Sequence, residues 1–230
     1  MDFDGAFWDV MGPAETLVSD IFAKVGVCIM WHAGSPPKDY RSDAGRTIFR
    51  IRWAERVPAT TDASALAVAR PLSPDASITL YEESLRRFLN RYRDTQNLVF
   101  SYVVAHELAH LMQGLNRHSD SGILKAQWSY KDVYQMASGR LEFTAYDVQL
   151  VHEGLNARMT RRRSLALKAA EGSGSSNRAK PAMIRGLFSS VMELMPCSWK
   201  CPTEPRAQVS GTATLEASAP PAPHFFHAPL

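Results

Sequence analysis

His106, Glu107 and His110 stand in HELAH, inside the run VFSYVVAHELAHLMQGLNRHSDSGIL. If the run is helical, residues four apart lie about 40° apart around the axis, on successive turns. Both imidazoles then face one way, at a spacing that lets them reach one Zn²⁺ at about 2.0–2.1 Å each. Glu107, next to the first histidine, can reach a water at the metal without filling a coordination position, and so act as general base. On a solvated surface helix the same five residues would mean little. Here the flanks LVFSYVVA and LAHLM are apolar nearly all round, the pattern of a helix buried on most faces. Two histidines and a glutamate inside such a helix carry a desolvation cost unless they bind something or line a cleft.

A third ligand decides what kind of site this is. Gly114 supplies the residue that lets the helix end and the chain turn back. His118 follows four residues later, giving HELAHLMQGLNRH, with four-residue steps from His110 to Gly114 and from Gly114 to His118. The competing third ligand is a glutamate on a later helix, for which Glu142 and Glu153 are the candidates. An ordinary exposed helix position explains Glu153 equally well, so His118 is preferred. The expected site is therefore one Zn²⁺ per chain on His106, His110 and His118, with Glu107 as base.

The elements that must hold these residues can be read from patterning. AETLVSDIFAK (14–24) places Leu17, Val18, Ile21 and Phe22 on one helical stripe, with Gly26 as a stop. VGVCIMW reads as a strand, and TIFRIRWAERV alternates Phe49, Ile51 and Trp53 against Ile48, Arg50 and Arg52. ALAVARPL and SITLYEES read as further short strands across a proline-containing turn. LRRFLNRY leads into a long apolar helix from about 97 to 114. Two more helices are predicted near 129–138 and 144–158, the second opened by Thr144 as N-cap with Asp147 three residues on. The segment 34–46 is loop. From Glu171 the composition changes to EGSGSSNRAKP and then to a proline-rich run low in core-formers, with an amphipathic helical pattern over 182–195 between them.

The stretch VVAHELAHLMQGLNRHSDSGILKAQWSYKDVYQMASGRLEFTAYDVQLVHEGL resembles the catalytic half of a group of largely uncharacterised bacterial metzincin-like zinc metallopeptidases. Their motif runs HEIGHLLLG…HS…GIM, then a Trp, a short helix and an FT…Q helix. The resemblance spans roughly residues 97 to 157, extends loosely upstream and does not cover 171–230. It implies a metalloendopeptidase in which His106, His110 and His118 carry zinc and Glu107 is the base. Two departures stand out. The metzincin pattern HExxHxxGxxH has one residue fewer on each side of the glycine, and GIL puts Leu124 where the family's turn methionine stands. Some metzincins add an oxyanion-stabilising tyrosine, for which Tyr130 and Tyr134 are in range by sequence.

The expected architecture is a single α/β (α+β) metzincin-like domain over residues 1–170. A twisted, mostly parallel sheet would lie over the active-site helix, with SITLYEE as its antiparallel edge strand, open to an extended substrate by strand addition. C-terminal helices follow, then a flexible, mostly disordered tail over 171–230. Net charge is +3 with scattered basic residues, so a nucleic-acid footprint is not expected. The amino terminus has no basic region followed by an apolar one, and no apolar run reaches the roughly 18 residues of a membrane span. A soluble protein is expected, with a peptide or protein as partner. Cys28 reads as a small buried hydrophobe in VGVCIMW. The reading of a different class is a catalytically silent zinc-binding interaction module. Glu107 argues against it, because a structural site is four-coordinate and closed and has no use for a base.

Overall fold

In the computed structural model, residues 8–34, 47–73, 76–172 and 189–196 are described. The apolar run ahead of HELAH forms α3 (Gln96–Gln113), in which every residue from Val99 to Gln113 except Glu107 is buried. Gly114 caps it in the left-handed conformation, at φ 74°, and its N–H returns to the carbonyls of His110 and Leu111. A residue with a Cβ would be strained there, so the chain's exit from the helix is set by this glycine.

What surrounds α3 explains how it can be apolar on so many faces. On one side lies α1 (Trp8–Ala23), which buries Val18, Ile21 and Phe22 of its predicted stripe. Another side is taken by α5 (Ala145–Gly172), which approaches so closely that a Cβ on Gly154 would collide with the carbonyl oxygen of Met112. Arg158, farther along α5, donates from Nη2 to the carbonyl oxygens of Leu111 (2.7 Å) and Pro71 (2.9 Å). The short α2 (Glu82–Leu89), a 3-10 segment (Asn90–Thr95) and α4 (Tyr130–Ala137) complete the helical part. Asp132 opens α4 in a capping box with Ser129.

The sheet contains β1 (Val27–Ala33), β2 (Thr47–Ala54), β3 (Ala67–Arg70), β4 (Ser77–Tyr81) and β5 (Ser189–Pro196), in the order β1-β5-β2-β4-β3. The protein is thus mixed α/β. In β2 the predicted alternation buries Phe49 and Ile51 towards the core, and Trp53 stacks on Phe100 of α3 at 6.0 Å.

Four expectations are corrected. The sheet is mostly antiparallel, because only the β2–β4 pairing is parallel. SITLYEE does not form an edge: β4 lies between β2 and β3, Glu82 and Glu83 open α2, and the edge strands are β1 and β3. Nor are residues 189–195 helical. They form β5, which inserts antiparallel between β1 and β2 with Val27 opposite Pro196 and Thr47 opposite Leu194. The folded sheet therefore takes in a segment beyond residue 170, and α5 itself runs to Gly172. The rest of the predicted tail, 173–188 and 197–230, lies outside the described residues. Cys28 is half-buried and disulfide-bonded, not a free buried thiol. Among the described residues no helix is long and apolar enough to cross a membrane.

Candidate metal centre

His106 and His110 project from successive turns of α3 with their rings 4.7 Å apart. Each is held by a backbone carbonyl from the segment that follows the helix. His106 Nδ1 donates to Ile123 O at 2.8 Å, and His110 Nδ1 donates to Leu115 O at 3.1 Å. A carbonyl can only accept, so both rings carry their proton on Nδ1 and present a lone pair at Nε2. Those two lone pairs face each other at 3.0 Å. Protonation of either ring would relieve the clash, but burial, reinforced by neighbouring imidazoles, pushes His106 down to about 4 and His110 down to about 3. Two opposed acceptors with no proton between them would be stabilised by a cation. Nitrogens bound to a tetrahedral zinc at about 2.0–2.1 Å stand about 3.3–3.4 Å apart, within a few tenths of an ångström of the separation seen.

His118 supplies the third nitrogen. Its ring centroid is 5.2 Å from that of His106 and 5.0 Å from that of His110, and ligand atoms of all three lie within 4.8 Å of one another. The extra residue on each side of Gly114 is absorbed by the helix ending after Gln113 and by the loop that returns beyond it. Neither competing glutamate joins the group. Glu142 is exposed and pairs with Lys24 at 3.7 Å, and Glu153 is exposed and accepts from Gln149 at 2.7 Å. Tyr130 and Tyr134 are also exposed. Tyr130 meets the ring of Tyr92, Tyr134 lies under Arg140, and neither has a ring contact with the three histidines.

Glu107 turns to the sheet. Burial pushes its carboxyl up to about 7, opposed by a hydrogen bond from the N–H of Ala69 in β3. The register explains why that N–H is available. Tyr81 N donates to Leu66 O, so alternate residues Leu66 and Val68 turn their backbone groups to β4. Ala67 and Ala69 turn theirs to the other side, where no strand pairs with β3 among the described residues. The carboxylate next to the first histidine therefore sits at the one edge of the sheet that borders α3. A desolvated carboxylate and an opposed lone-pair pair are both stabilised by a nearby positive charge, so the residues fit a divalent cation.

The turn 119–125 forms the floor. Gly122 has φ 78°, and a Cβ there would collide with Glu142 O, the same carbonyl that accepts from Ile123 N at 3.1 Å. Ile123 and Leu124 are fully buried, and Leu124 O accepts from Ser119 N at 2.8 Å. Leu124 thus occupies a packed turn whose carbonyls hold His106 and the backbone beside His118. The ring of Trp128 lies 5.6 Å from His106, edge to face.

Sequence reasoning missed Asp147, which it read only as the partner of Thr144. That capping pair forms, with Thr144 N donating at 3.1 Å and Asp147 N donating back to Thr144 Oγ1 at 3.1 Å. The carboxylate is also fully buried and takes hydrogen bonds from Ser119 Oγ (2.5 Å), Arg117 Nη1 (2.9 Å) and Thr144 Oγ1 (2.7 Å). Burial pushes this acid up, but the hydrogen bonds, that of Ser119 foremost, hold it below its ordinary value. No signal at the level of sequence spacing links residue 147 to 117 and 119. No protein-family model, curated protein or solved structure matches this chain.

Proposed function

We propose that the protein is a zinc-dependent peptidase of the metzincin-like kind, holding one zinc on His106, His110 and His118. The observation that carries this reading is the pair of opposed Nε2 atoms on carbonyl-locked rings, with Glu107 beside them at a free sheet edge. Bound there, zinc supplies Lewis acidity and a water acidic enough to lose a proton near pH 7. Glu107 would act there as general base, taking a proton from the attacking water and giving it to the leaving amine. The free backbone groups of Ala67 and the carbonyl of Ala69 offer an extended peptide a strand to pair with, which moves the docking edge from β4 to β3. Leu115 and Ile123 keep the rings in the tautomer that binds metal, a role in which outer partners are worth about 10–100-fold in affinity.

Two measurements on the purified protein test this: zinc stoichiometry, and digestion of a broad peptide library by wild type and Glu107→Gln. One zinc per chain in both proteins is expected, with cleavage by wild type falling about 10²–10⁴-fold in the variant and abolished by a chelator. Zinc bound without cleavage would leave the silent zinc-binding module. No zinc bound would end the metal reading altogether.

A further inference from the structure

His106 and His110 each have a helix and a carbonyl to hold them. His118 has neither. It lies in the loop after Gly114, its side chain is exposed, and among the described residues its ring makes no hydrogen bond. Something else must fix where that imidazole points. Its two chain neighbours are both tied to one atom, since Ser119 Oγ and Arg117 Nη1 converge on Asp147 Oδ1. The other oxygen, Oδ2, is taken by the backbone and hydroxyl of Thr144, which fastens the carboxylate to the start of α5. Gln113, the last residue of α3, reaches the backbone carbonyl of Asp147 at 3.2 Å. The Arg117 guanidinium is further confined over the Tyr146 ring, 4.9 Å from its centroid.

We infer that Asp147 is the positioning residue of the third ligand: by clamping Arg117 and Ser119 it sets the direction of His118 and hence the affinity of the site. It touches neither metal nor substrate and acts only through the two residues that flank His118. The geometry favours this over a capping role alone. A capping aspartate needs one oxygen for Thr144, and here the second oxygen is spent wholly on the ligand loop, in a position from which water is excluded. Removing the negative charge also strands Arg117 beside the site, and that cation would oppose a divalent metal.

The inference rests on the proposed zinc site, and the test keeps the two apart. Zinc affinity is measured by competition with a chromophoric chelator for wild type, Asp147→Asn, Ser119→Ala, Ser119→Thr, His118→Ala and the double variant His118→Ala/Asp147→Asn. Visible absorption of the Co²⁺-loaded forms is recorded alongside. Asp147→Asn is expected to lower zinc affinity about 10–100-fold and Ser119→Ala at the lower end of that range, with Ser119→Thr close to wild type because it keeps the hydroxyl. The Co²⁺ spectrum of Asp147→Asn should shift towards that of His118→Ala. The decisive comparison is the cycle. If Asp147 acts through His118, the double variant binds zinc no more weakly than His118→Ala alone. If the two losses add in full, Asp147 is merely structural and the inference is overturned. Should Asp147→Asn fail to fold, Ser119→Ala in the wild-type and His118→Ala backgrounds decides the same question. Wild-type affinity in Ser119→Ala would overturn the inference while leaving the zinc site intact. Wild type that binds no zinc overturns the site and the inference together.

Discussion

Two of the three clustered histidines belong to a helix and one to a loop, and the molecule secures them by different means. On α3 the direction of His106 and His110 follows from 3.6-residue periodicity and burial, with single carbonyls trimming the ring angle. His118 has no periodic scaffold beneath it, and its two chain neighbours, Arg117 and Ser119, are held by Asp147 from farther along the chain. A helix can deliver two ligands from five residues of local sequence. The third requires a turn, a glycine and a buried acid nearly thirty positions downstream, each supported by long-range contacts.

The difference is sharpest in metal binding, and this is where the largest effect is expected. His106→Ala or His110→Ala should reduce zinc affinity beyond the roughly 100-fold that loss of an outer partner causes, since each removes a ligand whose position was fixed before the metal arrived. His118→Ala should weaken binding less than either and leave a two-histidine site measurable by chelator competition. Equal losses in all three would show that the loop is as pre-set as the helix. The next effect concerns the turn. Gly122→Ala places a Cβ against Glu142 O in a left-handed conformation, which combines backbone strain with overpacking. A destabilisation of about 2–6 kcal/mol is expected from those two sources, read as a fall in the thermal midpoint together with weaker zinc binding through the displaced Ile123 carbonyl.

Which parts of this could be read from the sequence divides along the same line. HELAH, the buried flanks and the Gly114 stop are local, and the helix they define is the one observed. The candidacy of His118 follows from counting residues past the glycine. The edge strand is not legible, because two short strands separated by a turn look alike until their partners are known, and pairing is non-local. Residues 189–196 mislead for a related reason: SSVMELMP carries apolar residues at both helical and alternating spacings, and only insertion between β1 and β2 decides for a strand. Asp147 is visible as a helix cap and invisible as a clamp, since a capping box uses one oxygen and says nothing of the other.

A smaller effect, of opposite sign to most core substitutions, is expected at Glu107. Its carboxyl is raised from the ordinary 4.5 to about 7 by burial. A group raised in the folded state favours folding while protonated, so its contribution is full below pH 4.5 and is lost as pH rises through 7. In zinc-free protein at pH 8, Glu107→Gln should therefore be more stable than wild type by about 3 kcal/mol at most, from 1.36 kcal/mol per pKa unit. The gap should close by pH 4.5. His106 and His110, lowered in the folded state, act the other way: their stability is present above about pH 6.5 and lost as pH falls towards 4 and 3. They are common to both proteins and cancel in the difference. Urea midpoints of the two apo-proteins across pH 4.5–8 give the measurement, and a difference independent of pH would mean that the carboxylate is not desolvated. With zinc bound the gap should narrow.

The smallest effect is expected at Leu124, the position where the resembled family carries methionine. Leu124 is fully buried in the turn, and two of the turn's carbonyl oxygens act at the site: Ile123 O on His106 and Leu124 O on Ser119 N. If backbone geometry is what counts, Leu124→Met exchanges one side chain for another of similar volume without moving either carbonyl. Its cost should stay below about 1.5 kcal/mol, as volume-conserving core exchanges do. Zinc affinity and the Co²⁺ spectrum should match wild type. Leu124→Ala provides the contrast, since the cavity it leaves should cost about 2–5 kcal/mol and let the turn relax away from His106. A Leu124→Met protein with altered zinc affinity but an unchanged thermal midpoint would mean that the side chain under the site acts on the ligands directly. The loop would then hold its histidine by packing as well as by hydrogen bonds, and would differ less from the helix in how it secures a ligand.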